Sequence, residues 1–347
     1  MRIFKTPLTI RSDFYSCPLA LQIDTYYGCE PDCHHCFFRG LNYVWGTDIR
    51  MADPEEIRKK LESGLKNKTP KSPLANALKQ KKTIRIGSKS DPLQPINNKY
   101  YVTQKVMGIL KEMGWDYVLQ TRFTENIEGD LDLILDTLNV TILPVISPGW
   151  DKDWEIFEKK ITTHPDKRLK FASFLNKRHI NVGINGEPFI PGYHMIKDFE
   201  DSVKRIKSAG IKSYNTYNFH FTPFVAKRLA SIGIDVVKIW ETNQDKNWYP
   251  IQQKLIEIAK KYDIILGCPD YVNSGWGYRQ QSNTCCGVDV KNPLTFNTYT
   301  WKKLLQDGNR PEEVLEKSWD GVGNKKEGEN ILTIRNKKTY TILDIKE

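Results

Sequence analysis

Short apolar runs rich in β-branched residues alternate along this chain with amphipathic stretches of helical period. The runs predict strands at about 20–26, 83–87, 117–120, 140–145, 180–184, 212–219, 235–239 and 263–266. Between them the pattern predicts helices at about 100–113, 129–138 and 164–178, and another that begins at Pro54. That start is marked by Asp53 as a cap residue, a first-turn proline and two acidic residues.

Alternating strands and helices favour a parallel sheet covered by helices, because parallel neighbours need crossover connections. With about eight strands, a partly closed barrel is expected rather than a flat open sheet. We therefore predict an α/β fold, a partial parallel (βα)6-type barrel, over residues 1–266. The alternation stops there, and residues 267–347 are predicted to form a C-terminal extension that covers the barrel mouth and ends in a β-hairpin.

Composition and charge narrow the class of protein. Among 347 residues, Lys and Arg number 52 and Asp and Glu 42, which gives a formal charge of +10. A surplus of this size favours polyanionic partners or serves solubility. No apolar run approaches the roughly 18 residues of a membrane span, and the N-terminus lacks the apolar stretch of a signal peptide. Seven cysteines without an export signal indicate a reducing compartment, so we expect a cytoplasmic protein without membrane contact.

The most specific feature is a group of three cysteines, Cys29, Cys33 and Cys36, directly after the first predicted strand. Three thiols at C-x3-C-x2-C spacing on one loop can converge on one inorganic centre. A structural zinc site typically takes four ligands in two separated pairs, whereas an iron–sulfur cluster held by three cysteines leaves one iron open to another ligand. The alternative is a zinc site that His34 or His35 completes.

This loop resembles the hallmark of the radical S-adenosylmethionine (radical SAM) superfamily, which lies after the first strand of a partial (βα)6 barrel. The resemblance implies that Cys29, Cys33 and Cys36 bind a four-iron, four-sulfur (4Fe-4S) cluster whose open iron chelates S-adenosylmethionine. It also implies reductive cleavage of that cofactor to a 5′-deoxyadenosyl radical, which abstracts a substrate hydrogen. The residue before the last cysteine, usually an aromatic that touches the adenine, is His35 here.

Further segments are similar to the spore photoproduct lyase-like branch of that superfamily. Residues 87–95 resemble its G-x-x-S/T-D-P-Y-Q-P segment, and Thr121 with Arg122 resembles its T-K pair. Residues 163–169 resemble its P-x-x-R-L helix start, and residues 185–192 its P-I-x-P-G strand end. The residues expected to contact the cofactor are His35, Ser90, Asp91, Arg122, Ser147 and Arg168.

The remaining cysteines offer several roles. That branch carries a mid-barrel cysteine that returns a hydrogen to the thymine radical, but no cysteine lies between Cys36 and Cys268 here. Cys285 and Cys286 form an adjacent pair in a polar loop, and we predict one of them as a hydrogen donor or redox group. A further option is an auxiliary cluster held by Cys268, Cys285 and Cys286, while Cys17 is expected to be structural.

The residues and the resemblance together predict a radical SAM enzyme that acts on a nucleobase-containing substrate, in DNA repair or modification. Its expected partners are that substrate, including DNA, and a one-electron reductant such as flavodoxin or ferredoxin. Aromatic residues near the predicted mouth, including Tyr214, Trp240 and Tyr271, suit stacking on a planar base. Two alternatives stay open: a radical SAM enzyme acting on a small molecule or peptide, and a zinc-stabilised nucleic-acid-binding protein without catalysis.

Overall fold

The structure is a computed structural model and describes residues 1–10, 19, 21–41, 48–135, 140–216, 219–267, 284 and 286–293. Its strands are β1 (Leu8–Ile10), β2 (Leu21–Ile23), β3 (Tyr26–Tyr27), β4 (Arg50–Met51), β5 (Ile84–Ile86), β6 (Tyr117–Thr121), β7 (Val140–Pro144), β8 (Asn181–Val182), β9 (Ile184–Asn185), β10 (Ser213–Asn215) and β11 (Ile265–Gly267). Its helices are α1 (Phe38–Leu41), α2 (Pro54–Lys66), α3 (Pro73–Lys79), α4 (Asn97–Tyr100), α5 (Val102–Glu112), α6 (Asp132–Leu135), α7 (Asp151–Ile156), α8 (Pro165–Asn176), α9 (Ile196–Ser208), α10 (Pro223–Ala230), α11 (Val236–Thr242) and α12 (Asp245–Lys261). A 3-10 helix, Thr124–Asp130, precedes α6.

The main strands form a mostly parallel sheet. Strands β1, β2, β5, β6, β7 and β8 are neighbours in that order, and β9, β10 and β11 form a second hydrogen-bonded run. Gly183 alone separates β8 from β9, and a bridge between Val145 and Asn185 connects β9 to the end of β7. Strand β1 is antiparallel to β2, and the other pairings in these two runs are parallel. The predicted α/β class and partial parallel barrel are confirmed.

Alternating side chains divide the strands between two apolar cores. On β6, Leu119 packs with the helices in the main hydrophobic core, whereas its neighbour Val118 faces the opposite side of the sheet. On that side Val118 and Leu143 of β7 pack in an inner core with Cys286. The segment 286–293, which follows the last strand in the chain, therefore packs against the inner side of the sheet.

Hydrogen bonds hold this segment at the amino ends of the parallel strands. The backbone N–H of Thr83, just before β5, donates to the Asn292 carbonyl at 2.9 Å. The side-chain amide of Asn181, at the start of β8, donates to the Asp289 carbonyl. Both contacts lie at the opposite end of the sheet from the loops that follow the strands. The rest of the predicted extension, with its β-hairpin, lies outside the described residues.

One predicted strand is wrong, because residues 235–239 belong to the start of helix α11. The Asp235 carboxylate accepts the Lys238 N–H at 3.0 Å, which caps the helix at its N-terminus. Ile239 is buried in an apolar cluster against which Val236 packs, so these two residues lie on one helix face. The β-branched run favours a strand locally, and the cap and tertiary packing override that preference.

The helix predicted to begin at Pro54 is confirmed as α2. The Asp53 carboxylate accepts the Glu55 N–H at 2.9 Å, and Ile57 and Leu61 bury the apolar face of the helix. None of the described helices is long and apolar enough to cross a membrane.

Candidate cofactor site

The three-cysteine loop follows β3 and lies at the carboxyl end of β2. Gly28 begins it with a φ of 86°, in the left-handed region that favours glycine. Gln94, from the loop after β5, clamps this start. Its Nε2 donates to the Gly28 carbonyl at 3.0 Å, and its Oε1 accepts the Glu30 N–H at 2.7 Å. The Cys36 N–H donates to the Cys33 carbonyl at 3.1 Å, which closes a turn between the last two cysteines.

Three cations hold the loop through Asp32. The Arg39 Nε lies 3.0 Å and the Arg228 Nη2 2.8 Å from its Oδ1, and the Lys159 Nζ lies 3.1 Å from its Oδ2. Burial would raise the pKa of the Asp32 carboxyl, but hydrogen bonds from Lys159 and Arg228 and the charges of both arginines lower it below its ordinary value. The carboxylate therefore ties the loop to α1, to α10 and to the segment after α7.

The thiols of the loop lie close enough to influence one another. Burial raises the pKa of Cys29, and the negative charge of Asp91 and the other two thiols raise it further. Burial also raises the pKa of Cys33 to about 12, although the positive charge of Arg122 acts in the opposite direction. Cys29 and Cys33 therefore keep their protons in the metal-free chain, and metal binding has to displace them.

The three thiols of the loop are a donor set that fits an iron–sulfur cluster. Within the described residues, no three His, Cys, Asp or Glu side chains converge closely enough to hold one ion. A four-iron cluster has no such requirement, because each thiolate binds a different iron and the ligands surround a cube. Three thiolates also leave one iron of that cube open.

His35 is buried from solvent, next to the cysteines in the loop. It is 8% exposed, and its ring meets the Phe157 ring edge-on with 5.6 Å between centroids. Burial lowers the pKa of His35 to about 3, and the positive charge of Arg122 adds to the shift, so the imidazole is neutral. Its Nδ1 has no hydrogen-bond partner among the described residues. A neutral ring with an unpaired nitrogen suits contact with an adenine.

Ser90 and Asp91 join the loop after β5 to its neighbours. The Ser90 hydroxyl donates to the Tyr26 carbonyl at 2.6 Å. The Asp91 carboxylate accepts the Thr121 hydroxyl at 2.7 Å and the Arg122 N–H at 2.6 Å, both at the end of β6. Burial raises the pKa of Asp91, and these hydrogen bonds act against the shift. The structure thus brings Asp91 to the cysteine loop, where its charge acts on the first thiol.

Arg122 and Arg168 share one buried carboxylate, Glu158, which the sequence analysis missed. The Arg122 Nε lies 3.1 Å from Glu158 Oε1, and the Arg168 guanidinium contacts both oxygens. Burial would raise the pKa of Glu158, but the charges of Arg168 and then Arg122 lower it to about 2. Arg168 is fully buried and also donates to the carbonyls of Val145 and Thr163. Arg168 therefore lies deeper in the protein than Arg122, and the positive charge of Arg122 lowers the pKa of Cys33 in the cysteine loop.

A buried Asp153–His194 pair, also missed, connects helix α7 to the loop after β9. The His194 Nδ1 accepts the Ile190 N–H at 2.8 Å, so its Nε2 carries the hydrogen and donates to Asp153 Oδ2 at 2.9 Å. The Gly149 N–H donates to the same oxygen at 3.0 Å. Ser147 is buried in the loop between β7 and α7, at the same edge of the sheet as the cysteines.

The second group of cysteines is described only at Cys286. Its thiol is buried in the inner core with Val118 and Leu143. The other predicted cysteines lie outside the described residues: Cys17, Cys268 and Cys285. Apolar neighbours offer no metal ligands, so nothing in the described part of the chain supports an auxiliary cluster.

Comparison with known proteins gives matches at the level of structure. Neither a family model nor a curated protein sequence matches the chain. A cysteine-to-serine mutant of spore photoproduct lyase matches with a TM-score of 0.57 and 14% identity, over 76% of this chain and 80% of that one. A cysteine-to-alanine mutant of the same lyase with dinucleoside spore photoproduct matches with a TM-score of 0.56 and 13% identity, over 77% and 80% of the two chains. Streptococcus suis SuiB bound to S-adenosylmethionine gives a TM-score of 0.48 and 11% identity, over 73% and 50%.

The chain therefore has the fold of spore photoproduct lyase, a radical SAM enzyme. The relationship predicted from the cysteine loop and the segments after the strands is confirmed at the level of the fold. The cofactor contacts predicted for single residues stay predictions.

Proposed function

We propose that this protein is a radical SAM enzyme in which Cys29, Cys33 and Cys36 hold a 4Fe-4S cluster. The observation that carries the proposal is the position of these thiols, on one clamped loop at the carboxyl end of β2, in a fold shared with spore photoproduct lyase. The cluster held by these cysteines would supply, when reduced, the electron for cleavage of S-adenosylmethionine, and the 5′-deoxyadenosyl group would serve to abstract a substrate hydrogen. A one-electron reductant such as flavodoxin or ferredoxin is the expected source of that electron.

The charged side chains at the loop suit the amino-acid part of S-adenosylmethionine. Arg122 is positive and 21% exposed, and we assign it to the carboxylate. Asp91 is the carboxylate that acts most strongly on Cys29, and we assign it to the ammonium group. Ser90 donates its hydroxyl hydrogen to a backbone carbonyl, which leaves its oxygen lone pairs as acceptors, and we assign it to the same group.

Other predicted residues take supporting roles in this proposal. Arg168 has no exposed surface, so we assign it to positioning: it holds Glu158, which in turn orients Arg122. His35, neutral and beside the thiols, is assigned to the adenine. Ser147, buried at the same edge, is assigned to the ribose or the carboxylate.

We propose that the substrate contains a nucleobase, including bases in DNA. The formal charge of +10 suits a polyanion. Spore photoproduct lyase, which shares the fold, is found with a dinucleoside photoproduct. DNA repair or modification is therefore the favoured setting, with a small molecule or a peptide as the competing substrate class.

A basic cavity of about 400 Å³ at the edge of the mouth supports a phosphate-bearing substrate. It lies between the end of β2 and the loop after β5, and Lys5, Arg50 and Lys89 line it. The Arg50 guanidinium lies 4.1 Å above the Tyr27 ring, which holds it in place. Asp24 contacts Lys89 at 3.7 Å and Asp48 contacts Arg50 at 3.5 Å, and three cations against the single acidic lining residue Asp24 leave the lining positive.

We assign the hydrogen-donor role to the thiol of Cys286, in the inner core. In that step the S–H bond breaks homolytically, the hydrogen atom goes to the substrate carbon, and the unpaired electron stays on sulfur. One electron from the reductant and one proton then restore the thiol. Cys285, its neighbour in the chain, is the other candidate for this role.

The test is anaerobic reconstitution of the full chain with iron and sulfide. A brown protein with absorption near about 400 nm, which forms 5′-deoxyadenosine when given reductant and S-adenosylmethionine, is the expected result. A colourless protein with one bound zinc would overturn the proposal. Binding of short single-stranded DNA at about 50 and 200 mM salt tests the substrate class, because phosphate contacts weaken steeply with salt. Absence of binding at the lower concentration would leave a small molecule or peptide.

A further inference from the structure

Two asparagines stand side by side at the carboxyl ends of β9 and β10. Asn185 and Asn215 are register partners of this parallel pair, and they are only 0% and 2% exposed. The residues before them, Ile184 and Tyr214, pack in the main core on the helix side. Because side chains alternate along a strand, both amides face the inner side of the sheet, at the edge where the cysteine loop lies.

Glu187 fixes the orientation of both amides. Its N–H donates to Asn185 Oδ1 at 3.1 Å, and its Oε1 accepts the Asn215 Nδ2 at 3.2 Å. The amide nitrogen of Asn185 and the amide oxygen of Asn215 are therefore the atoms left for other partners. An N–H donor and a carboxylate acceptor do not allow the O and N positions to be exchanged.

The two remaining atoms are a buried donor and a buried acceptor without a partner. Asn185 Nδ2 and Asn215 Oδ1 make no hydrogen bond to any described residue. Burying such groups lowers the stability of the fold unless a ligand or a water molecule forms hydrogen bonds with them. Buried polar atoms at the inner edge of a barrel mouth are well placed to contact a substrate.

The backbone around the pair is held firmly. The Gly186 N–H donates to the Asn215 carbonyl at 2.7 Å, and the Thr216 hydroxyl donates to the Gly186 carbonyl at 3.2 Å. A Cβ atom at Gly186 would lie 2.2 Å from the Tyr214 ring, so no larger residue fits between the two strand ends. The asparagines thus form a rigid donor–acceptor pair whose backbone spacing is the roughly 4.8 Å of neighbouring strands.

We propose that Asn185 and Asn215 bind the Watson–Crick edge of the substrate base, an inference that rests on the proposed function. Every nucleobase carries a hydrogen-bond acceptor next to a donor on that edge, such as O4 and N3–H of thymine. Asn185 Nδ2 donates to the acceptor, and Asn215 Oδ1 accepts from the donor. Because the same edge pairs with the opposite strand in a duplex, the base is unpaired when it is bound.

The experiment measures binding of dinucleotides to the cluster-loaded chain with S-adenosylmethionine and without reductant, so that no turnover occurs. The probes are dTpT, dCpC, dApA and dGpG, each compared with a counterpart methylated at the ring nitrogen of the Watson–Crick edge. We expect at least one unmodified dinucleotide to bind about tenfold more tightly than its methylated counterpart. With dTpT or dGpG, whose ring nitrogen is a donor to Asn215, that ratio should fall to about one in Asn215→Leu. With dApA or dCpC, whose ring nitrogen is an acceptor from Asn185, it should fall to about one in Asn185→Leu.

The ratio is the informative quantity, because both asparagines also contact Glu187 and their loss can weaken binding in general. Disturbance of the loop weakens both members of a probe pair alike and leaves the ratio unchanged. The control is Asn176→Leu, whose amide donates to the Gly210 carbonyl at 3.1 Å at the far end of α8. This variant should keep the ratio of the wild-type chain.

Three results would overturn the inference. The first is that the wild-type chain binds no dinucleotide. The second is that it binds the methylated dinucleotides as tightly as the unmodified ones. The third is that both asparagine variants still bind the unmodified dinucleotide more tightly than the methylated one by the wild-type ratio. This holds whether or not the variants also lose affinity for S-adenosylmethionine. If the wild-type chain forms 5′-deoxyadenosine in any of these cases, the radical SAM proposal stands and only the inference about the asparagines fails. If the chain binds no cluster, the radical SAM proposal itself fails.

Discussion

Arg228, on α10, lies 2.8 Å from the Asp32 carboxylate and also donates to the Asp32 carbonyl at 3.0 Å, although the two residues are 196 positions apart. The same guanidinium donates to the Cys33 carbonyl at 3.3 Å. A helix from the late part of the barrel thus holds the backbone of the cysteine loop. The loop has this support before any metal binds, so the thiols are preorganised for their ligand.

Asp32→Asn should loosen this loop while leaving the fold intact. The substitution removes the charge that Arg39, Lys159 and Arg228 share, and Asp32 is 37% exposed, so we expect a loss of at most about 1 kcal/mol in the free energy of unfolding. The larger effect should be on iron retained after reconstitution and gel filtration, which should fall. Asp201→Asn, which removes an equal charge beside Lys204 on α9, is the control. Equal iron in both variants would show that Asp32 does not support the loop.

Cys29→Ala, Cys33→Ala and Cys36→Ala should each abolish formation of 5′-deoxyadenosine. Three ligands are the minimum for a cluster with one open iron, and losing one exposes a second iron. Iron analysis and chromatography of the reaction mixture give the result. Near-normal 5′-deoxyadenosine from any one of the three variants would contradict the ligand assignment.

Glu158→Gln should destabilise the fold by about 3–5 kcal/mol, because it leaves the buried guanidinium of Arg168 without its counter-charge. Glu155→Gln is the matched control: that carboxylate is 52% exposed and contacts Lys160 at 2.8 Å, and its loss should cost less than about 1 kcal/mol. Chemical denaturation measures both. A difference of less than about 1 kcal/mol between the variants would argue against the buried network.

The same carboxylate makes a prediction about pH. The pKa of Glu158 is about 2 in the folded chain, against an ordinary value of 4.5. Its contribution to stability is therefore complete above pH 4.5 and is lost as the pH falls from there through about 2. The free energy of unfolding of the wild-type chain should fall more steeply below pH 5 than that of Glu158→Gln. Parallel curves for the two proteins would contradict the lowered pKa.

Lys5→Ala and Arg50→Ala should weaken binding of single-stranded DNA and reduce its salt dependence. Each phosphate contact contributes about 0.7 to the slope of log K against log salt concentration on single strands, so each variant should lose about that amount. Lys177→Ala, at the opposite end of the sheet after α8, removes the same charge and should keep the wild-type slope. Identical slopes for all three variants would show that the cavity takes no phosphate.

Cys286→Ser should still form 5′-deoxyadenosine but give altered or stalled product, because a serine O–H bond is too strong to donate its hydrogen atom. The serine hydroxyl also enters an apolar core, at a cost of about 1–3 kcal/mol in stability. Cys286→Ala separates the two effects, since it lacks the thiol and adds no polar group. Normal product from both variants would return Cys286 to a packing role and direct attention to Cys285.

Local signals were sufficient for the cysteine loop and for the start of α2. The C-x3-C-x2-C spacing, and Asp53 before a first-turn proline, are contained in a few consecutive residues. The end of β6 was also predictable, because the polar residues Gln120, Thr121 and Arg122 follow directly after the apolar run 117–119. In each case the physical cause lies within one turn or one strand end.

Glu158 and the Asp153–His194 pair could not be found in this way, because their partners are distant in the sequence. Glu158 is one of several acidic residues in its segment, and only the fold brings it to Arg122, 36 positions earlier. The available signal was indirect: two arginines expected inside the barrel need a counter-charge. The error at 235–239 has the same origin, since tertiary packing selects the helix there.

The attachment of segment 286–293 also has a consequence during protein synthesis. Lys82, beside β5, donates to the Pro293 carbonyl across 211 positions of the chain. At roughly 5–20 residues per second, a ribosome needs on the order of 10–40 s to make the intervening chain. During that interval the inner faces of β6 and β7 have emerged without the side chains that later cover them. The nascent barrel thus carries an apolar surface that invites chaperone binding or aggregation until its last layer arrives.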